Sequence, residues 1–300
     1  MTDEQFLHSL YSGLLGREPD AAGLQHHLYA LSAQQADPSR YRRMVEAFIG
    51  SSEFRLAADR RWAPAGSNAY LPDFGGVTFS HVVPLGSFCH AAMALKRAGL
   101  RRWAGPFDWI FSSLGMVAHC IEDDFASFLD PSHYRSVPVD KRQTPEANLC
   151  EHVFYRERFG VPFVFNHHDP AASSKDAAYF QRGAARLRQV FRSPAWKLFV
   201  VVSPRPVKIE LMQPLLSALE KATPRFVVVA LQFNTVPSRP QPLAVAEALR
   251  TQRLRHDLLK VELDVASPSN GVEFADAHDN RMLDRFLRTF RAHPMAVETV

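Results

Sequence analysis

Cysteine is scarce in this 300-residue sequence, which contains only Cys89, Cys120 and Cys150. An odd number of cysteines without CxxC spacing argues against both a disulfide framework and a zinc site. We expect Cys120 and Cys150 to be structural or incidental. No apolar run reaches the roughly 18 residues that a membrane span needs, and the N-terminus lacks the charged-then-apolar pattern of a signal peptide. We therefore predict a cytoplasmic protein without a membrane span, unless another secretion route carries it.

Neither sign of charge dominates, because 35 Lys and Arg oppose 31 Asp and Glu. The arginines are spread over helical segments rather than clustered with aromatic residues, so no nucleic-acid partner is predicted. The sequence also lacks a Gly-rich phosphate loop and an acidic metal motif, so neither a cofactor nor a metal is predicted. Apolar residues are abundant at 46%, which is enough to bury a proper core.

Apolar residues recur at helical spacing in the first fifth of the chain. Helices are expected over 6–15, 28–31 and 41–49, and residues 51–54 would cap a short fourth helix. The segment WAPAGSNAYLPDFGG is rich in Pro, Gly and small polar residues, as linkers are. The predicted organisation is a small helical domain at 1–61, a linker at 62–76 and a second domain at 77–300.

Two patterns in the helical domain, LYSGLLGREPDAAGL and AFIGSSEFR, carry a resemblance to a known family. They resemble a small bacterial helical domain of unknown function, of the 4214 type, that is common beside surface-layer and glycan-handling proteins. The resemblance implies a bacterial source and a protein partner for this domain, but no chemistry.

Apolar runs and helical patterns alternate regularly in the second domain. Strands are predicted at 196–203, 226–233 and 259–265, and helices at 178–192, 207–222, 242–255 and 276–292. Strands separated by single helices are typical of βαβ units around a parallel sheet. The predicted fold class is therefore α/β: a parallel, Rossmann-like or flavodoxin-like three-layer sheet domain preceded by a small all-α domain.

Cys89 lies where a predicted strand turns into a helix. An apolar run through Val82 and Val83 ends at Gly86, and a helix is expected over 91–98. Unpaired backbone N–H groups and the helix dipole favour negative charge at such a turn, so we expect an exposed thiol with a lowered pKa, or an oxyanion site. Ligands of parallel sheets bind beyond the carboxyl ends of the strands, where Cys89 is placed. The alternative is that this cysteine only fills space in the core.

Four motifs follow one another in the second domain: LGSFC, GPFDWIFSS, NHHD and RGAAR. Over most of residues 80–292 they resemble the bacterial family of putative papain-like cysteine peptidases, domain of unknown function 1796. The resemblance implies a hydrolase of the peptidase or amidase type, acting on a peptide, acyl or glycan-linked substrate. It implies Cys89 as the nucleophile, Asp108 of the PFDW motif as a site residue, and His168 with Asp169 as the His-Asp element.

A cysteine hydrolase needs a thiolate, a histidine that shares its proton, and an acid or amide that orients the imidazole. Neighbouring side chains on a strand point to opposite faces, so Asp108 is a better orienter of His168 than Asp169 is. His167 is the alternative imidazole. The competing interpretations are a surface-loop histidine at 168 and a turn-capping aspartate at 108. One tension remains in the pattern: papain-type enzymes pack the cysteine helix on a largely antiparallel sheet, whereas this sequence predicts a parallel one.

A second interpretation is a serine esterase or acyltransferase, because the Gly-Ser turn and a late Asp-x-His resemble the SGNH-like enzymes. Ser87 would attack, Asn166 would help to bind the oxyanion, and Asp276 with His278 would form the base pair. The Asp that follows Gly in that family is missing here, and the Asp-x-His spacing is one residue short. The alternative for Asp276 and His278 is the start of a helix, where acidic residues are favoured by the dipole.

A third interpretation is not hydrolytic. Arg182 and Arg186 lie one helical turn apart, so they could present a phosphate clamp in a protein that handles glycans or nucleotide sugars in a bacterial polysaccharide system. Arginines on an exposed helix face are more often only solvated.

Overall fold

The computed structural model describes residues 2–15, 18–51, 54, 77–142, 144, 146–203, 205–236, 248–295 and 297. The chain divides into two compact units, Met1–Ser67 and Asn68–Val300, and each is described by itself. The linker predicted at 62–76 lies outside the described residues, and so does most of the short helix predicted after residue 51.

The N-terminal unit is helical, as predicted. Its described part contains α1 (Asp3–Leu10), a π-helical turn (Tyr11–Leu15), α2 (Ala21–Ser32) and α3 (Arg40–Gly50). Asp20 accepts a hydrogen bond from the Gly23 N–H at 2.8 Å, which satisfies an unpaired donor at the start of α2. Among the described residues of this unit, six buried side chains form the core: Leu7, Leu10, Tyr11, Leu31, Met44 and Phe48.

The second unit contains a mixed, mostly parallel sheet. Its strands are β1 (His81–Pro84), β4 (Lys197–Ser203), β5 (Phe226–Thr235), β6 (Leu249–Arg255) and β7 (Leu258–Val265), in the order β1-β4-β5-β7-β6. All neighbours pair in parallel except β6, which lies antiparallel on β7 at one edge. A separate antiparallel pair is formed by β2 (Tyr134–Ser136) and β3 (Cys150–His152). The predicted α/β class with a parallel sheet is confirmed.

Helices cover both faces of the main sheet. They are α4 (Cys89–Arg97), α5 (Leu114–Glu122), α6 (Val153–Phe159), α7 (Ser174–Arg192), α8 (Ile209–Ala222) and α9 (Ala277–Arg288). One apolar core joins the sheet to α4 and α9, and another joins it to α5, α7 and α8. The result is the three-layer arrangement that buries both faces of parallel strands. No helix in the described part of the chain is long and apolar enough to cross a membrane.

The prediction of a helix over 242–255 is wrong in its second half, because residues 249–255 form strand β6. Residues 242–247 lie outside the described part. Pairing across the strands explains the outcome: the Arg250 guanidinium bonds to Asp264 at 2.8 Å and to Glu262 at 3.3 Å, both on β7. Opposite charges facing each other across two strands stabilise a sheet, and this tertiary contact is not visible in the local spacing of apolar residues.

Candidate active site

Cys89 occupies the position that the sequence predicts, at the first residue of α4. The connection from β1 stays paired with β4, since Val202 N donates to Gly86 O at 2.9 Å and Ser87 N donates to Val202 O at 3.2 Å. The residue before Cys89, Phe88, has no side-chain oxygen and makes no capping hydrogen bond. No side chain of Phe88 therefore occupies the N–H groups of the first turn of α4, and the positive end of the helix dipole is directed at Cys89.

The environment of the thiol differs from the expected exposed one. Cys89 is only 2% exposed, and burial raises the pKa of its thiol; a hydrogen bond with Asn166 opposes this rise and the charge of Asp108 adds to it. The prediction of a lowered pKa is therefore wrong, because the loss of water outweighs the field of the helix. The thiol is neutral at pH 7 and needs a base to become a nucleophile. Cys120 and Cys150 are also buried, and none of the three forms a disulfide.

Asn166 links the thiol to an imidazole. Its Nδ2 lies 3.3 Å from Nε2 of His167, and its side chain also hydrogen-bonds to Cys89. A side-chain amide has two N–H bonds and can serve both partners. Burial lowers the pKa of His167, and the neighbouring His168 acts in the same direction, so His167 is neutral at pH 7 and can accept from the amide. An amide donor beside a thiol is suited to bind an oxyanion.

Helix α7 holds the second imidazole from two sides. Nδ1 of His168 lies 3.0 Å from Oδ1 of Asp176, and the ring stacks on Tyr179 with centroids 4.7 Å apart and an interplanar angle of 18°. Asp176 and Tyr179 are three residues apart on α7, so they share a face of the helix. The ring orientation of His168 is thus fixed by one hydrogen bond and one stacking contact.

The charges of Asp108 and Cys89 both influence Tyr179. Burial raises the pKa of Tyr179 to about 12, and the charges of Asp108 and Cys89 contribute to the rise. Its hydroxyl therefore lies within electrostatic range of both groups. The Tyr179 oxygen is buried without a hydrogen-bond partner among the described residues.

Asp108 is fully buried and held by Arg101. Its Oδ2 accepts from Arg101 Nε at 2.7 Å and from Gly105 N at 2.9 Å, and it also contacts Arg101 Nη2. Burial raises the pKa of Asp108 to about 6, although Arg101 opposes the rise. These contacts are those of a residue that fixes the turn of the PFDW motif. Its second oxygen, Oδ1, is buried and has no partner in the described part of the chain.

Gly86 brings the strand end close to Ser112. It has φ +87°, and a Cβ placed on it would lie 2.1 Å from Ser112 Oγ. Ser112 N also donates to Ser87 O at 3.0 Å. The LGSFC motif thus requires glycine both for the backbone conformation and for the close approach.

Replacing Gly86 with alanine is expected to lower the free energy of unfolding by more than about 2 kcal/mol, through the left-handed backbone and the overlap with Ser112. Gly160→Ala is the matched control, because Gly160 has φ +63° but no atom within 4 Å of its virtual Cβ. It should cost only about 1–2 kcal/mol. Adding Ser112→Ala to Gly86→Ala should restore part of the loss in urea unfolding; equal losses at the two glycines would contradict the overlap.

Two known family models match this chain. The family model described as Putative papain-like cysteine peptidase (DUF1796) matches residues 80–237, just over half of the chain. The chain belongs to this family. A second model, Domain of unknown function (DUF4214), matches residues 1–57. Neither the curated proteins nor the solved structures contain a match.

In this member of the DUF1796 family, the carboxylate that contacts His168 is neither of the two predicted acids. Asp169 Oδ1 accepts from Ser136 Oγ at 2.9 Å and from two backbone N–H groups of its own loop. The partner of His168 is Asp176, which sequence reasoning missed. A signal was present, since Ser173 caps α7 by accepting from Asp176 N at 3.2 Å, and a Ser-x-x-Asp pattern marks a helix start.

Two of the four residues of the serine-esterase interpretation, Ser87 and Asn166, lie within the family match, and two lie beyond it. Ser87 is 3% exposed, and its backbone is engaged with Val202 and Ser112. Asp276 caps α9 by accepting from His278 N at 2.7 Å, which is the role of an acidic residue at a helix start. Asp276 and His278 follow β7, three strands from β1 in the sheet, and lie outside residues 80–237.

The two arginines of the clamp interpretation have different surroundings. Arg182 is exposed, whereas Arg186 is half-buried and donates to Ala104 O at 3.5 Å. Arg186 belongs with the buried cluster, because its charge influences Tyr179. Among the described side chains, no group of three or more His, Cys, Asp and Glu residues is arranged to hold a metal ion.

Proposed function

We propose that this member of the papain-like cysteine peptidase family is a hydrolase of peptide or other acyl bonds, with Cys89 as the nucleophile and His168 as its base. The observation that carries the proposal is the hydrogen bond of 3.0 Å between His168 Nδ1 and Asp176 Oδ1. A carboxylate on Nδ1 fixes the tautomer in which Nε2 accepts a proton, as in Ser-His-Asp and Cys-His hydrolases.

Each residue has a defined part in the reaction. His168 Nε2 takes the proton of the Cys89 thiol, and the sulfur attacks the acyl carbon. The Asn166 amide and the N–H groups at the start of α4 stabilise the oxyanion. His168 then gives its proton to the leaving group, and a thioester on Cys89 remains. Water, deprotonated by His168, hydrolyses that thioester and restores the thiol.

A neutral resting thiol fits this scheme. Burial raises the pKa of Cys89, so the nucleophile is formed only when His168 withdraws the proton during attack. Asp176 stabilises the imidazolium that results, as the buried acid does in a catalytic triad.

The proposal is tested with p-nitrophenyl acetate at pH 7, by following p-nitrophenol release and locating the acetyl group by mass spectrometry. Wild-type protein should carry the acetyl group on Cys89. Cys89→Ala should abolish rapid acylation, and His168→Gln should slow it by at least about 100-fold. Cys150→Ala is the matched cysteine control and should acylate at the wild-type rate.

Other variants separate the competing assignments. Loss of acylation in Ser87→Ala, with retention in Cys89→Ala, would overturn the cysteine nucleophile in favour of the serine. An unchanged rate in His168→Gln, together with a slow rate in His167→Gln, would overturn the assignment of the base.

A further inference from the structure

Arg186, in the RGAAR motif, is a half-buried cation that the proposed reaction does not use. Its Nε is buried without a hydrogen-bond partner among the described residues. Its Nη1 donates to Ala104 O at 3.5 Å, which is longer than a normal N–H···O bond. No carboxylate in the described part of the chain forms an ion pair with this guanidinium. Because charges taken out of water are normally paired, Arg186 is suited to bind an anionic group from outside the chain.

The two acids closest to Arg186 in the candidate site already have partners. Asp108 is held by Arg101, whose Nε donates to it at 2.7 Å. Asp176 lies 3.0 Å from Nδ1 of His168. One carboxylate therefore balances Arg101 and the other contacts the imidazole, which leaves the charge of Arg186 without a counter-charge.

Arg186 shares a face of α7 with residues of the candidate site. Tyr179, Gly183 and Arg186 are spaced i, i+4 and i+7, so they form one stripe along the helix. This stripe faces the loop of the PFDW motif, since a Cβ on Gly183 would lie 3.0 Å from Pro106 N and Arg186 donates to the backbone of the same loop. The charges of Arg186 and Cys89 both influence Tyr179, so the guanidinium and the thiol lie within electrostatic range of the same hydroxyl.

The separation between Arg186 and the proposed base limits which part of a substrate it can bind. Asp176, which contacts His168, lies ten residues earlier on α7, about 15 Å along the helix axis. Helical side chains lean toward the N-terminus of their helix, so the long side chain of Arg186 covers part of this separation. A group bound by Arg186 is therefore remote from the bond that is cleaved.

Guanidinium groups bind carboxylates through two parallel hydrogen bonds. We propose that Arg186 determines substrate specificity by binding a carboxylate of the substrate that is remote from the acyl bond. The inference rests on the proposed hydrolase function, because it concerns the substrate of Cys89. It gives the RGAAR motif two parts: Gly183 lets α7 approach the PFDW loop, and Arg186 selects an anionic substrate.

The test compares anionic esters with their neutral counterparts. Mono-p-nitrophenyl suberate carries a carboxylate at the end of its acyl chain, and 4-acetoxyphenylacetate carries one on its leaving group; the methyl ester of each acid is neutral. In one of these pairs, the anionic ester should acylate Cys89 at least about tenfold faster than the neutral one, after correction for hydrolysis without protein. Arg186→Met should lower this ratio to about one, and Arg186→Lys, which keeps the charge but loses the fork, should retain part of it.

Arg192→Met is the matched control, since Arg192 is exposed and lies on a different face of α7 from Arg186. It should keep the wild-type ratio. Each ratio is measured within one protein, so a general loss of folded protein does not change it. Acylation of Cys89 without a preference in either pair, or an unchanged ratio in Arg186→Met, overturns the inference and leaves the proposed function standing. If no ester acylates Cys89, the proposed function fails and the inference fails with it.

Discussion

Replacing Asp176 with asparagine is expected to slow acylation of Cys89 by about 10²- to 10⁴-fold. The amide N–H would face His168 Nδ1 and favour the tautomer that carries its proton on Nε2, so the ring could no longer accept the thiol proton. The other Asp176 oxygen accepts from Asp169 N at 2.8 Å, and asparagine keeps an oxygen for that bond. The variant should therefore fold, but His168 should no longer act as the base. The measurement is the rate of p-nitrophenol release at pH 7.

Asp276→Asn is the matched control for this variant. Asp276 also lies at a helix start, and asparagine caps helices as well as aspartate does. It should acylate at the wild-type rate. A slow Asp276→Asn together with a normal Asp176→Asn would contradict the assignment and favour the base pair of the serine-esterase interpretation.

Replacing Arg101 with methionine is expected to lower the free energy of unfolding by about 3–5 kcal/mol at pH 8. Asp108 is fully buried and Arg101 is its ionic partner, so the variant leaves a carboxylate in the core without its counter-charge. The loss should be visible in urea unfolding of the second unit. Arg205→Met, an exposed arginine, should change the free energy by less than about 0.5 kcal/mol.

The loss should depend on pH in a defined direction. The folded-state pKa of Asp108 is raised to about 6 from its ordinary value of 3.8, so its ionisation opposes folding. This penalty is absent below pH 4, develops between pH 4 and 6, and is complete above pH 6. Arg101 matters only when Asp108 is charged, and Arg101→Met should therefore cost less at pH 5 than at pH 8. Equal losses at the two pH values would contradict a charged partner at neutral pH.

Much of the fold can be predicted from the local pattern of apolar residues, because buried parallel strands appear in the sequence as short continuous apolar runs. β4 and β5 have this form, and helix α8 between them has helical spacing. β7 instead alternates apolar and charged residues, which also predicts a strand. β6 could not be recognised in the same way. Its stability comes from facing charges on β7, and contacts between distant segments leave no periodic signal.

The part of the site that depends only on local sequence could be predicted. Cys89 could be placed at the strand-to-helix turn, but the protonation state of its thiol could not be predicted. That state depends on burial and on groups distant in sequence, such as Asn166. The partner of His168 was missed for a related reason. Asp176 lies eight residues later in sequence, and only the turn between His168 and α7 brings the two together.

Gly183, in the RGAAR motif, has a further consequence. A Cβ on this residue would lie 3.0 Å from Pro106 N, so the backbone of α7 rests directly on the PFDW loop. Asp108 lies on the PFDW loop and Asp176 on α7, so these two residues belong to segments whose backbones are in close contact. A transplant of this candidate site to another scaffold must therefore carry the loop and the helix together, with their glycine, as one graft.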